Sequence, residues 1–372
     1  MVPTRTSLKI AALRFPLCLG PVLLHLRYLL PAGPFAILLC ASFAHVAVPL
    51  FFIFSGYLFY SSFELSASCY TAKLRSRATT ILVPYLLWNV VAIGFFILKS
   101  LVLTARGLPV DPISSLTAAE LVTRMTGVSA AGNGLPANSP LWYLRDLMVH
   151  FALSPAYALL IRRIPKITLA VLASPFVLAT LEIEVLPGRI FTWFALEGLF
   201  FFVLGFYLVG RERAAERLAR AAGWYGVCLF LALCIVKAFL NPFGTPKVYE
   251  DPMNCLIIPS GVLAVWFAAD RLIRHEGLTR KLKYCARFSF FIFASHMIVI
   301  KTGMVLLRAG PGARTGPRYV LVSVGAVAGI FGGGILLFLV LQKLSRRFLS
   351  VLIGRRTGAR GGSDERRVTS DE

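Results

Sequence analysis

Arg14 and His25 lie within the first apolar stretch of the chain, residues 10–30, where a lipid-facing helix holds such side chains only at a cost. They stand eleven positions apart. At about 100° per residue that is three turns plus roughly 20°, so both leave one face of a helix, about 16 Å apart along its axis. An imidazole titrates near neutrality and is the usual base for drawing the proton from a hydroxyl. A guanidinium grips anionic groups through paired N–H contacts. A charged or titratable group inside a membrane span costs several kcal/mol (roughly 2–4 on insertion scales) unless it faces a bundle interior or a wet cavity. The two residues therefore read as one polar stripe lining a site. The bland alternative is an arginine bonded to helix carbonyls and a histidine reaching outward to water.

Other candidates are single residues or short clusters. His45, His150 and His296 are each flanked by apolar residues in spans, where a helix–helix hydrogen bond competes evenly with a functional role. His275 lies in a basic connecting segment and reads as solvated. No histidine pair has metal-ligand spacing, so no metal site is expected. Lys73, Arg75 and Arg77 form a dense basic cluster at the membrane edge, where a phosphate-rich ligand could dock and topology control alone would also suffice. Trp142-Tyr143-Leu144-Arg145-Asp146 opens the fourth span, with an aromatic belt accounting for Trp142 and Tyr143 and an ion pair for Arg145 and Asp146. Glu197 is a further acid within a span, able to pair with an intramembrane base.

These residues need helices in a bilayer to position them. Hydrophobic residues make up 57% of the 372 and charged residues 15%, well short of the charge a soluble domain carries. The composition reads as all-α and polytopic, with about ten transmembrane helices at 10–30, 36–60, 79–103, 141–161, 167–187, 190–210, 223–241, 254–272, 288–308 and 318–342. The net charge of +22 gathers on alternate connecting segments. That bias places both termini in the cytoplasm and makes the bilayer, not nucleic acid, the expected electrostatic partner. Residues 1–353 read as one membrane domain and 354–372 as a disordered cytoplasmic tail, polar and without apolar periodicity. The tight turn Pro31-Ala-Gly-Pro34 separates the first two spans, and a long outside loop runs over about 104–140. Gly325, Gly329 and Gly333 recur every fourth residue, a pattern that permits close helix packing. The seven cysteines are scattered and imply neither a disulfide framework nor a zinc site.

The Leu13-Arg14-(ten residues)-His25 pattern resembles the Arg-(ten residues)-His motif of the acyltransferase-3 family of bacterial integral-membrane O-acyltransferases. Further segments resemble the family in the same order: Val48 to Leu58, Ile81 to Trp88, Leu141 to Leu147, Phe200 to Tyr207 and Ser289 to His296. The likeness extends from about Ser7 to Lys343. It implies ten helices in the bacterial inner membrane and transfer of an acyl group, commonly acetyl from acetyl-CoA, to a sugar hydroxyl. The acceptor would be a surface glycan or its lipid-linked precursor, and no metal is implied. His25 matches the family's essential histidine, and Arg14 the arginine that helps hold the acyl donor. The family also carries a basic pair before the third span; Arg77 fits its first position, Thr80 stands at the second, and Arg75 is the candidate to compensate. Trp142, Arg145, Asp146, Glu197 and His296 are the candidates for contacting the acceptor. Some relatives have a fused extracytoplasmic esterase-like domain, so a separate partner could complete the transfer here. The rival class is a transporter exporting a glycan precursor or acyl group, for which internal repeats or broken helices are the expected signs.

Overall fold

The computed structural model describes residues 4–26, 33–105, 107, 117–128, 135–180, 196–240, 253–308 and 317–354. Among them every regular element is helical, as lipid requires of backbone that must satisfy its own hydrogen bonds. The first helices are α1 (Arg5–Leu26), α2 (Pro34–Tyr60), α3 (Ala67–Ala105) and the short α4 (Ala118–Thr126). Next come α5 (Trp142–Ala152), α6 (Ser154–Arg163), α7 (Pro165–Thr180) and α8 (Leu196–Tyr207). The rest are α9 (Glu212–Leu240), α10 (Asn254–Leu272) and α11 (Glu276–Arg308). Then α12 runs from Pro317–Ala328 through a π-type turn at Gly329–Gly333 into Gly334–Leu344, and α13 is Arg346–Leu352.

Among the described residues, seven helices are long and apolar enough to cross a membrane. The span expected at 141–161 is instead a bent pair, α5 and α6, turned by 62° at Leu153. Pro155 causes the break, because it has no N–H for the Phe151 carbonyl. The Ser154 hydroxyl donates to that carbonyl at 2.8 Å. Two tyrosines cover the other carbonyls at the bend: Tyr60 donates to Ser154 at 2.8 Å and Tyr70 to Ala152 at 2.9 Å. The spans expected at 167–187 and 190–210 correspond to α7 and α8, and residues 181–195 between them lie outside the described residues. So do part of the 31–34 turn, much of the 104–140 loop and the tail beyond Gly354.

Packing sets helix directions. His25 meets His296 and Cys18 meets Ser289, a step of seven residues on both helices, so α1 and α11 run parallel. Trp88 packs on Phe291 and Lys99 is in electrostatic contact with Lys301, so α3 and α11 are parallel too. Ten alternating crossings demand this same sense of the first, third and ninth spans. Helices α2 and α8 pack backbone to backbone, so that a Cβ at Gly56 would strike the Phe202 carbonyl and one at Gly205 the Ile53 carbonyl. The Gly325, Gly329 and Gly333 stripe does not play that part. Among the described residues, a Cβ at Gly325 or Gly333 would meet nothing within 4 Å and one at Gly329 only Val299 at 3.8 Å. These glycines lead into and form the π-type turn of α12 instead.

An ion network ties the start of α1 to α9 and α10. Lys9 is 1% exposed, and its Nζ lies 2.6 Å from Asp270 and 3.3 Å from Glu216. Arg5 reaches the same Asp270 at 2.9 Å.

Candidate functional site

The site is built on α1, with α3, α5 and α11 contributing one or two side chains each. Pro16 and Pro21 lie within α1, each withholding a backbone N–H from the helix ladder. Arg14 keeps an open side chain, within electrostatic reach of Tyr143 on α5 and of Arg77 on α3. Charged and polar groups on two other elements thus lie on the same side of α1 as this arginine.

Arg77 is half-buried, its guanidinium 5.4 Å from the Phe151 ring centroid and 5.9 Å from that of Phe59. The rings hold the cation by cation–π attraction. Its buried Nε has no hydrogen-bond partner among the described residues, so the fork keeps a donor for an anion. The other members of the basic cluster do different things. Lys73 donates to the Phe59 carbonyl and the Ser62 hydroxyl, both at 2.9 Å, and so caps the end of α2. Arg75 is exposed, and two residues of helix place it about 200° round from Arg77, on the opposite face. Thr80, where the family pattern has a second basic residue, is packed beneath Gly354; a Cβ there would strike the Thr80 carbonyl.

Tyr143 links the arginines to the histidines. Its hydroxyl lies 3.0 Å from Ser55 Oγ and 3.1 Å from the Phe51 carbonyl, and its ring meets Phe293 edge-on at 6.3 Å. Phe293 in turn sits 6.0 Å from His296. His25 Nδ1 lies 2.8 Å from the Pro21 carbonyl and 3.5 Å from His296 Nε2. Electrostatic reach relates Arg77 to Arg14 and Arg14 to Tyr143, and ring contacts continue from Tyr143 through Phe293 to the His25–His296 pair, so these groups line one seam. The structure brings together Arg14, Arg77, His25 and His296 of the residues singled out by sequence.

The remaining candidates sit elsewhere. Trp142 packs against Phe52 at 6.2 Å. Asp146 is fully buried and accepts from Arg145 Nε at 2.9 Å, while Arg145 also donates to the Thr126 carbonyl at 2.9 Å. The pair thus clamps the end of α4 onto α5. Glu197 is in α8, and its side chain lies outside the described residues. His150 is buried among Phe52, Phe202 and Tyr157. The residue that sequence reasoning passed over is Tyr143, absorbed into an aromatic belt. Both rings meet Phe52, Trp142 at 6.2 Å and Tyr143 at 4.7 Å, and Tyr143 reaches on to Ser55 and Phe293.

A helical membrane bundle with a basic residue pair at one end of a seam and paired imidazoles at the other has the parts for moving a group from an anionic carrier to a hydroxyl. The comparison by family agrees: the acyltransferase-domain model of the acyltransferase-3 family matches residues 8–341, and the chain belongs to that family. The protein is a membrane acyltransferase. It is also similar to the succinoglycan biosynthesis protein ExoH of Rhizobium meliloti (strain 1021), with 28% identity over 367 residues, 95% of this chain and 94% of that one. No solved structure matches it.

Proposed function

We propose that the protein transfers an acyl group, acetyl in the simplest case, from acyl-CoA to a hydroxyl of a surface polysaccharide or its lipid-linked precursor. The single observation that carries this reading is the seam joining Arg77 and Arg14 to His25. Arg77 and Arg14 receive the phosphates of the carrier at the end of the bundle where basic residues gather. The extended pantetheine arm then runs along α1, where about 16 Å separates Arg14 from His25.

His25 Nδ1 faces the Pro21 carbonyl, an acceptor only, so Nδ1 bears the hydrogen and Nε2 the lone pair. Nε2 takes the proton of the acceptor hydroxyl as its oxygen attacks the thioester carbonyl. The tetrahedral intermediate collapses by breaking the carbon–sulfur bond, and the leaving thiolate takes the proton back from His25. Holding both reactants in one seam replaces a bimolecular encounter by a positioned one. The polysaccharide acceptor is supported by the relative's link to succinoglycan biosynthesis. The inner membrane as location and a separate extracytoplasmic partner belong to this same proposal, on the family resemblance.

The test is transfer from a panel of radiolabelled short-chain acyl-CoA thioesters by purified protein in lipid nanodiscs. Wild-type protein releases CoA and labels a glycan fraction, and His25→Ala falls by at least about 10³-fold. A folded His25→Ala protein that acylates at the wild-type rate overturns the assignment.

A further inference from the structure

We propose that His296 is a positioning residue for His25: it fixes which nitrogen of His25 is the base and gives the protonated ring a second acceptor. This rests on the reading of His25 as the base. His296 is fully buried, and its Nδ1 lies 2.6 Å from the Phe293 carbonyl. A carbonyl oxygen only accepts, so this nitrogen carries the hydrogen and the neutral ring holds its lone pair on Nε2. That Nε2 lies 3.5 Å from His25 Nδ1, which is also 2.8 Å from the Pro21 carbonyl. The His25 Nδ1–H is thus shared between a carbonyl oxygen and an imidazole nitrogen, both acceptors. Neither can be satisfied if the hydrogen moves to Nε2, so the tautomer with a basic Nε2 is the one the site selects.

The arrangement does the work of the carboxylate that orients histidine in hydrolase triads. A carboxylate would be more strongly attractive to the imidazolium, but as an unpaired charge in this apolar setting it would be far more costly than a neutral ring. The ring centroids lie 5.3 Å apart with the planes tilted by 56°, and the approach of the two rings is nitrogen to nitrogen at 3.5 Å. The proton stays on His25 during the reaction. His296 only accepts from Nδ1, more strongly once the ring is charged.

A positioning role and an acceptor-binding role separate kinetically. His296→Leu removes the acceptor nitrogen at similar volume, whereas His296→Gln keeps an amide oxygen near the place of Nε2. The expected result is a drop of about 10- to 100-fold in kcat for His296→Leu, less than is lost with a charged orienting group. KM for acyl-CoA and for the glycan acceptor stays within about twofold, and His296→Gln recovers most of the rate. Should His296→Leu fail to fold, His296→Asn makes the same comparison with His296→Gln, because its shorter amide falls short of His25. A leucine or asparagine variant as fast as the glutamine variant overturns the proposal. So does an unchanged kcat with a raised acceptor KM, which would make His296 an acceptor contact. If His25→Ala is inactive and His296→Leu is not impaired, only this inference fails; if His25→Ala is active, the proposed function fails with it.

Discussion

At the level of single residues, the site divides its cationic work unevenly. Arg77 is the arginine of its cluster that combines partial burial, two aromatic rings and nearness to Arg14. Arg77→Gln is therefore expected to raise KM for acyl-CoA by roughly 10- to 100-fold, the worth of one charge-assisted contact of about 1.5–3 kcal/mol. Arg75→Gln, on the opposite helix face, changes it by less than about threefold. Steady-state kinetics with acyl-CoA varied at fixed acceptor checks both. Equal effects at the two positions would mean that the ligand contacts the helix on both faces. Arg77→Lys does not restore binding fully, because an ammonium lacks the planar fork that the two rings hold in place.

Elements are held by two devices, close backbone contact and a buried ion network. Gly56→Ala or Gly205→Ala puts a methyl into a facing carbonyl of the α2–α8 contact. Neither helix can withdraw without opening the aromatic cluster around Phe59 and Phe202. Both substitutions are expected to lower thermal stability in detergent, by about 1–3 kcal/mol or with loss of expression, while Gly325→Ala is neutral. In the network at the start of α1, Asp270→Leu leaves Lys9 buried with Glu216 at 3.3 Å and the Trp266 ring at 4.7 Å, without its nearest carboxylate. The expected cost is about 3–5 kcal/mol, and Lys9→Met added to Asp270→Leu recovers part of it, because the buried ammonium that lost its nearer carboxylate is then gone. Thermal unfolding of the single and double variants decides it. A double variant no more stable than Asp270→Leu would show that the lysine is not what suffers.

The whole molecule is organised by direction. α1, α3 and α11 run the same way through the bundle, and they carry Arg14 and His25, Arg77, and His296 respectively. The bias of positive residues in the connecting segments is the basis for proposing that the Arg77 end faces the cytoplasm and receives acyl-CoA there. A green fluorescent protein fused to the C-terminus is expected to fluoresce and a periplasmic phosphatase fused there to be inactive. The reverse pair of results would invert the donor side and, with it, the proposed path along α1.

Much of this was readable before any fold was known. Composition and charge bias alone define a polytopic helical membrane protein, because lipid imposes a fixed length and a fixed apolarity on each span. The eleven-residue interval puts Arg14 and His25 on one face, since helix geometry is the same wherever a helix forms. Pro155 and Ser154 are visible in the sequence, yet the groups that meet the carbonyls beside the 62° turn at Leu153 are Tyr60 and Tyr70, from α2 and α3. The partners of a polar side chain likewise come from distant parts of the chain. His296 meets His25 across 271 residues, and Asp270 meets Lys9 from another helix. Tyr143 was hidden because an aromatic at a span's edge has a ready explanation as an interface anchor, and only the rotation of α5 turns it into the seam. The sequence by itself determined the solvent, the class of helices and the face that holds Arg14 and His25. Tertiary structure decided which side chains stand against that face, because local periodicity specifies a direction around one helix axis and never the neighbour that will stand there.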